Sequence, residues 1–184
     1  MPPGLTAGLD KESFVNLVGF LSKMGESGKF RVPTARFVRR WSVVPASKEL
    51  ARNVVAEGPG YTTKDNAKVA WQPAYSKVSG DLPVDELPVV EVAPGKRLSF
   101  VRFDIEVVSK GNVNLVMNPT AGLSVWAGQK PLKLTDRGVT DVFSPGIHAI
   151  TIAIDRNIYK DNALSIQLVD AENAPAQTRL VIGR

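Results

Sequence analysis

The sequence predicts a mainly β protein: an antiparallel two-sheet β-sandwich, jelly-roll-like, carrying one N-terminal amphipathic α-helix. Three observations predict it. From residue 36 onward, about ten short apolar segments recur at regular spacing between Gly, Pro, Asn and Asp. The clearest of them, "SFVRFDIEVV", alternates Val101, Phe103, Ile105 and Val107 with Arg102, Asp104 and Glu106, one face for a core and one for water. No helices separate these segments as parallel crossovers would require. "ASKELARNVVAEG" alone reads either as one short helix or as loop.

In chain order, residues 10–24 come first. Phe14, Leu17, Val18 and Leu21 recur at helical spacing, Asp10 stands at the N-cap, Glu12 is in the first turn, and Lys23 and Gly25 close the end. The apolar stripe is wide enough to require a partner. "GESGKFRVPTA" then reads as a linker broken by Gly25, Gly28 and Pro33, so two regions are expected: residues 1–30 and residues 31–184. The strands follow as "FVRRWSVV", "VAWQPAYSKV", "LPVVEV", "SFVRFDIEVV", "NVNLVMN", "LSVWAG", "PLKL", "VTDVF", "GIHAITIAID", "ALSIQLVD" and "TRLVIG". The Lys110-Gly111-Asn112 turn suggests that "SFVRFDIEVV" and "NVNLVMN" form a hairpin.

At 184 residues the chain can bury an ordinary core without staples. It has no cysteine, which excludes disulfides, thiolate metal sites, a Cys nucleophile and Cys-x-x-Cys-His haem attachment within it. The net charge is +5, much of it between Lys23 and Arg52, where eight basic residues face two acidic ones. Without basic and aromatic interleaving, this reads as a solvated linker and strand face, and no specific nucleic-acid binding is expected. No apolar run approaches the roughly 20 residues of a membrane span.

Catalytic machinery is hard to assemble from these residues. The one histidine, His148, starts a strand with the parity of Ile150 and Ile152 and reads as a half-buried structural group rather than a triad member. A histidine metal cluster is not available, and no metal site is expected. A carboxylate pair is the remaining enzymatic option: Asp104 and Glu106 share a strand face, while Asp81, Asp85 and Glu86 lie in a Pro-rich loop. The strand pair reads as a solubilising face and the loop acids as turn formers. "GPGY" lacks the Lys and Ser/Thr of a phosphate loop. For ligand binding, the candidates are aromatic side chains that can stack on a sugar ring: Trp126 first, then Trp71 and Tyr75, with Trp41 a further strand tryptophan.

Two resemblances add to this. "MPPGLTAGLDKESFVNLVGFLSKM" resembles the last portion of a class I c-type cytochrome, in which a Met-Pro loop supplies the sixth haem ligand and a final amphipathic helix packs near the haem. The resemblance implies that Met1 is an axial haem ligand if a haem-carrying half precedes it, and that Phe14, Leu17, Val18 and Leu21 face that upstream domain. The string "FDIEVVSKGNVNLVMNPTAGLSVWAGQKPLKL" with "FSPGIHAITIAID" is similar to the sugar-binding β-sandwich of the protective-antigen type and, more loosely, to galactose-binding-like domains. The paired aspartates that calcium-dependent lectins of that kind present are not found near "GLSVWAGQ".

Together the two parts look like the C-terminal end of a secreted, planctomycete-type multidomain cytochrome. That resemblance implies a periplasmic or extracellular location and haem c in the parent protein, with none held by this chain itself. It implies a non-catalytic accessory module acting in domain docking or polysaccharide binding. A glycan-active enzyme using Asp and Glu, or a free-standing interaction domain, are the alternatives.

Overall fold

The computed structural model describes residues 8, 10–22, 35–65, 67–117 and 119–181. The chain divides into two compact units, Met1–Thr34 and Ala35–Arg184. In the first, α1 (Lys11–Ser22) is a helix with Glu12 in its first turn and none of its residues buried. Asp10 caps it: its Oδ1 accepts a hydrogen bond from the Ser13 N–H at 2.7 Å. That bond holds the Asp10 carboxyl below its ordinary value. Met1, Lys23, Gly25 and the linker lie outside the described residues.

The second unit is a sandwich of antiparallel sheets. Its elements are β1 (Arg36–Phe37), β2 (Arg40–Val43), α2 (Lys48–Glu57), a 3₁₀ turn (Pro59–Thr63), β3 (Gln72–Tyr75), β4 (Leu82–Pro83), a second 3₁₀ turn (Val84–Glu86), β5 (Val90–Ala93) and β6 (Lys96–Val107). There follow β7 (Gly111–Met117), β8 (Leu123–Ala127), β9 (Lys130–Leu132), β10 (Gly138–Phe143), β11 (Gly146–Asp155), β12 (Ala163–Leu164), β13 (Ile166–Asp170) and β14 (Thr178–Leu180). The smaller sheet runs β1-β13-β7-β10. The larger runs β3-β2-β6-β11-β8-β9, with β5 and β14 also on β6, and β4 pairs β12 separately.

Strand β6 organises the larger sheet. Along one edge the whole of β11 pairs with it, from Val107 opposite Gly146 to Leu98 opposite Asp155. Its other edge is shared in succession by β5 at Leu98, β2 at Val101–Arg102 and β14 at Ile105–Val107. The alternation of β6 turns Val101, Phe103 and Ile105 inward beside Ile150, Ile152 and Ile154 of β11. Leu115, Met117, Ile166 and Leu168 of the smaller sheet belong to the same buried cluster.

The expected β6–β7 hairpin does not form: the two strands belong to opposite sheets. Alternation specifies which face of a strand is buried, and it is the same whether the next strand pairs alongside or packs across the interior. The hydrogen bonds of the crossing go to residues 174–177 instead. Val108 N–H donates to Gln177 O, Asn112 N–H to Ala174 O, and Ala176 N–H to Asn112 O, at 2.8–2.9 Å. Gly111 is required because a Cβ there would lie 2.6 Å from Ala176 N and 2.7 Å from Ala174 O.

"ASKELARNVVAEG" is helical. Ser47 Oγ accepts from Leu50 N–H at 3.1 Å and caps α2. Leu50 and Val54 of α2, with Tyr61 of the first 3₁₀ turn, then cover Val44, Val90, Leu98, Phe100 and Ala153, forming a second apolar cluster. These residues have the opposite parity to the main core, so the cluster lies on the outer side of the larger sheet.

Candidate functional site

The strand register brings together residues that are far apart in sequence. Opposed residues of antiparallel strands share a face. Pro73 lies opposite Ser42, Ser42 opposite Arg102, Arg102 opposite Thr151, Thr151 opposite Trp126, and Trp126 opposite Pro131. This row crosses six strands on the outer side of the larger sheet. In the row beside it, Tyr75 lies opposite Arg40, and Asp104 opposite Ala149. Trp71 shares the parity of Pro73 and Tyr75 and packs against the second apolar cluster. All three aromatic candidates, Trp71, Tyr75 and Trp126, therefore belong to one outer face.

Their surroundings differ. Trp126 is half-buried: its indole lies against Gly60, where a Cβ would meet Nε1 at 3.5 Å. Trp71 is also half-buried, and the Arg102 guanidinium stands over its ring with Cζ 5.6 Å from the centroid. Tyr75 is 66% exposed, the most accessible of the three. Trp41 has the opposite parity and is 1% exposed; its Nε1 donates to Val38 O at 3.2 Å and its ring meets Phe103 edge-on at 5.2 Å. It is a core residue.

A break in the strand pairing opens this face. β2 leaves β6 at Arg102 and β14 joins it at Ile105, with Val181 N–H still donating to Asp104 O at 3.1 Å, so the ends of the two strands meet beside Phe103 and Asp104. A cleft of about 170 Å³ forms there, its polar lining made by Arg40, Ser42, Arg102 and Asp104. A neighbouring apolar slot of about 260 Å³, walled by Phe37, Val38, Phe103 and Leu180, shares Arg40, Asp104 and Val181 with it. The polar cleft is smaller than the roughly 300–1,000 Å³ that encloses a whole small molecule, so it suits one unit of a larger ligand. Arg40, Ser42 and Arg102 were not singled out by sequence reasoning. Their only signal was opposite parity to buried neighbours, which any solvent-facing polar residue shares.

The other candidate groups are occupied structurally. His148 is half-buried at the start of β11, with Nε2 2.8 Å from Ser144 O and its ring edge-on to Phe143 at 5.1 Å. Glu106 accepts two hydrogen bonds from Arg179, at 2.7 and 3.0 Å. Those bonds hold the Glu106 carboxyl below its ordinary value. A glycosidase general acid needs the opposite shift. In the Pro-rich loop, Asp81 accepts from Ser79 Oγ at 2.8 Å and Asp85 from Arg156 Nη2 at 3.1 Å.

Among the described residues no three His, Cys, Asp or Glu side chains converge on a metal position. Haem c does not fit the residues of this chain: there is no thiol to attach it, and the single imidazole is engaged by Ser144 and Phe143. No helix is long and apolar enough to cross a membrane among the described residues. No protein-family model matches the chain, and no curated protein or solved structure matches it.

Proposed function

We propose that the sandwich is a non-catalytic carbohydrate-binding module that uses the outer face of its larger sheet. The observation that carries this reading is the register-imposed grouping of Trp71 and Tyr75 on the same face as Arg40, Ser42, Arg102 and Asp104, the polar lining of the cleft. A sugar ring needs an apolar platform for its C–H face and fixed polar groups for its hydroxyls. Tyr75 offers the accessible ring, and the cleft offers hydroxyl, guanidinium and carboxylate groups about one sugar unit in extent. The test is retention of the folded chain by a panel of immobilised polysaccharides. Binding should weaken about tenfold in Tyr75→Ala, with urea unfolding unchanged because the ring is exposed. Failure of the wild-type chain to bind any neutral or acidic polysaccharide would overturn the reading.

A second reading concerns α1 alone. Phe14, Leu17, Val18 and Leu21 form one helical face, each between 40% and 54% exposed. This stripe supports a docking role toward a neighbouring helical domain, and the cytochrome resemblance nominates a haem-carrying one. Leu17→Glu with Leu21→Glu should abolish co-purification with such a domain while leaving sandwich unfolding unchanged. Unaltered co-purification would remove this reading.

A further inference from the structure

We infer that the outer face of the smaller sheet carries a second binding site, which takes one neutral sugar unit through Asn112, Asn114, Thr140 and Glu172. It shares no residue with the cleft on the larger sheet. Asparagine is disfavoured inside strands, yet β7 places two of them, Asn112 and Asn114, at successive outward positions between buried Gly111, Val113 and Leu115. The register sets Thr140 of β10 opposite Asn114, and Val142 opposite Asn112. With Ala171, Glu172 and Asn173, which follow β13, these polar side chains line a cavity of about 240 Å³. That is below the roughly 300–1,000 Å³ of a site enclosing a whole small molecule, so one ring of a longer ligand is the fitting occupant.

The hydrogen bonds already made determine which groups are left to bind. Asn112 Nδ2 donates to Asn173 O at 2.6 Å, and Thr140 Oγ1 donates to Asn114 Oδ1 at 3.2 Å. Half of each amide is therefore committed. Asn112 Oδ1, Asn114 Nδ2 and the Glu172 carboxylate have no partner among the described residues, and the Thr140 oxygen can still accept. A cation would leave the Asn114 N–H groups unmatched, and an anion would meet Glu172. Hydroxyls both donate and accept, so a ring bearing several of them matches the whole set without carrying charge.

The lining is also held in place. Asn112 is fixed by its side chain to Asn173, while its backbone N–H donates to Ala174 O at 2.8 Å and its carbonyl accepts from Ala176 N–H at 2.9 Å. Groups ordered in advance lose less freedom when a ligand arrives. Beside them the outward Val142, 54% exposed, offers an apolar surface to the C–H face of a sugar.

The experiment is an NMR titration of the whole chain with neutral oligosaccharides of glucose, mannose and galactose, following the side-chain amides of Asn112 and Asn114 and the backbone N–H of Thr140. At least one oligosaccharide should shift all three signals along one saturating curve. Asn114→Ala should weaken that curve about tenfold, the loss expected for one or two hydrogen bonds. Asn114→Asp, which keeps the shape but exchanges the remaining donor for an acceptor beside Glu172, should weaken it at least as much. Tyr75→Ala should leave it unchanged.

Oligosaccharides that shift Arg102 but not Asn112 and Asn114 would overturn this inference and leave the reading of the larger sheet standing. Shifts at Asn112 and Asn114 that survive while Tyr75→Ala has no effect on polysaccharide retention would do the reverse. Equal shifts from glycerol at the same hydroxyl concentration, or tighter saturation by acetate or a diammonium alkane, would overturn it, as would wild-type affinity in Asn114→Asp. Urea unfolding of the Asn114 variants keeps a loss of fold distinct from a loss of binding.

Discussion

The outer side of the larger sheet has two halves that meet within a single strand. At the N-terminal end of β6, the outward Leu98 and Phe100 are buried under α2 and the first 3₁₀ turn. From Arg102 onward the outward residues are Arg102, Asp104 and Glu106, all partly exposed and all charged. One half is a second core, and the other carries the proposed site. The difference shows that a short covering helix does more than add stability: where it stops decides which outward residues of the sheet stay exposed. Arg102 stands next to the last covered row, its guanidinium over Trp71 of the cover.

Removing a side chain on each side of that border is the strongest way to break the comparison. Phe100 is 1% exposed, and Phe100→Ala should cost about 3–5 kcal/mol through lost burial and an unfilled cavity. Arg102→Ala, two residues on and facing the same way, should cost no more than about 1 kcal/mol. Urea unfolding of the two variants decides it; equal costs would mean the halves are not physically distinct.

A smaller effect is expected at the cap of the cover. Ser47→Ala removes the acceptor for Leu50 N–H and should cost about 1 kcal/mol. Hydrogen exchange should accelerate first in residues 48–57, with Trp126 emission shifting to the red as the turn around Gly60 loosens. Uniform acceleration over β6 and β11 would show that cover and sheet open together.

The smallest expected effect lies on the bare half and depends on pH. Arg179 holds the folded Glu106 carboxyl below its ordinary value. The increment is therefore present above the unfolded carboxylate pKa and is lost as pH falls through the folded one. Glu106→Gln should remove a small increment near neutrality, the difference from the wild type closing as pH falls through the folded Glu106 pKa. A variant whose acid unfolding overlays the wild type at every pH would show that the exposed pair contributes nothing.

The sandwich was legible because strand alternation is local: Val101, Phe103 and Ile105 declare an inward face within a few residues. The cover was legible only in part. Leu98 and Phe100 break the alternation by adding apolar residues at outward positions, a sign of burial on both faces. The reading of β6 from Val101 onward passed over it. Whether "ASKELARNVVAEG" is a helix is decided by two inward residues, Leu50 and Val54, and by tertiary packing rather than by propensity.

The site was the least legible. Trp71, Tyr75 and Trp126 could be named individually, but their common face depends on register across several strands. The place of Arg40 and Arg102 in the lining of the cleft depends on where β2 ends and β14 begins, and neither is a local property. The β6–β7 pairing failed for the same reason. The chain ahead of Gln177 carries no sign that residues 174–177 will take the hydrogen bonds of that crossing.

The shared edge of β6 also bears on how the protein is made. Glu106 waits for Arg179, 73 residues later in the chain, before that edge is closed. On a ribosome adding about 5–20 residues per second, the wait is on the order of 4–15 seconds. For that interval a nascent chain carries an open strand edge and an apolar inner face together, the combination that invites pairing with another chain. Three residues, Thr178 to Leu180, therefore act late in synthesis as the closure that makes the larger sheet safe to release.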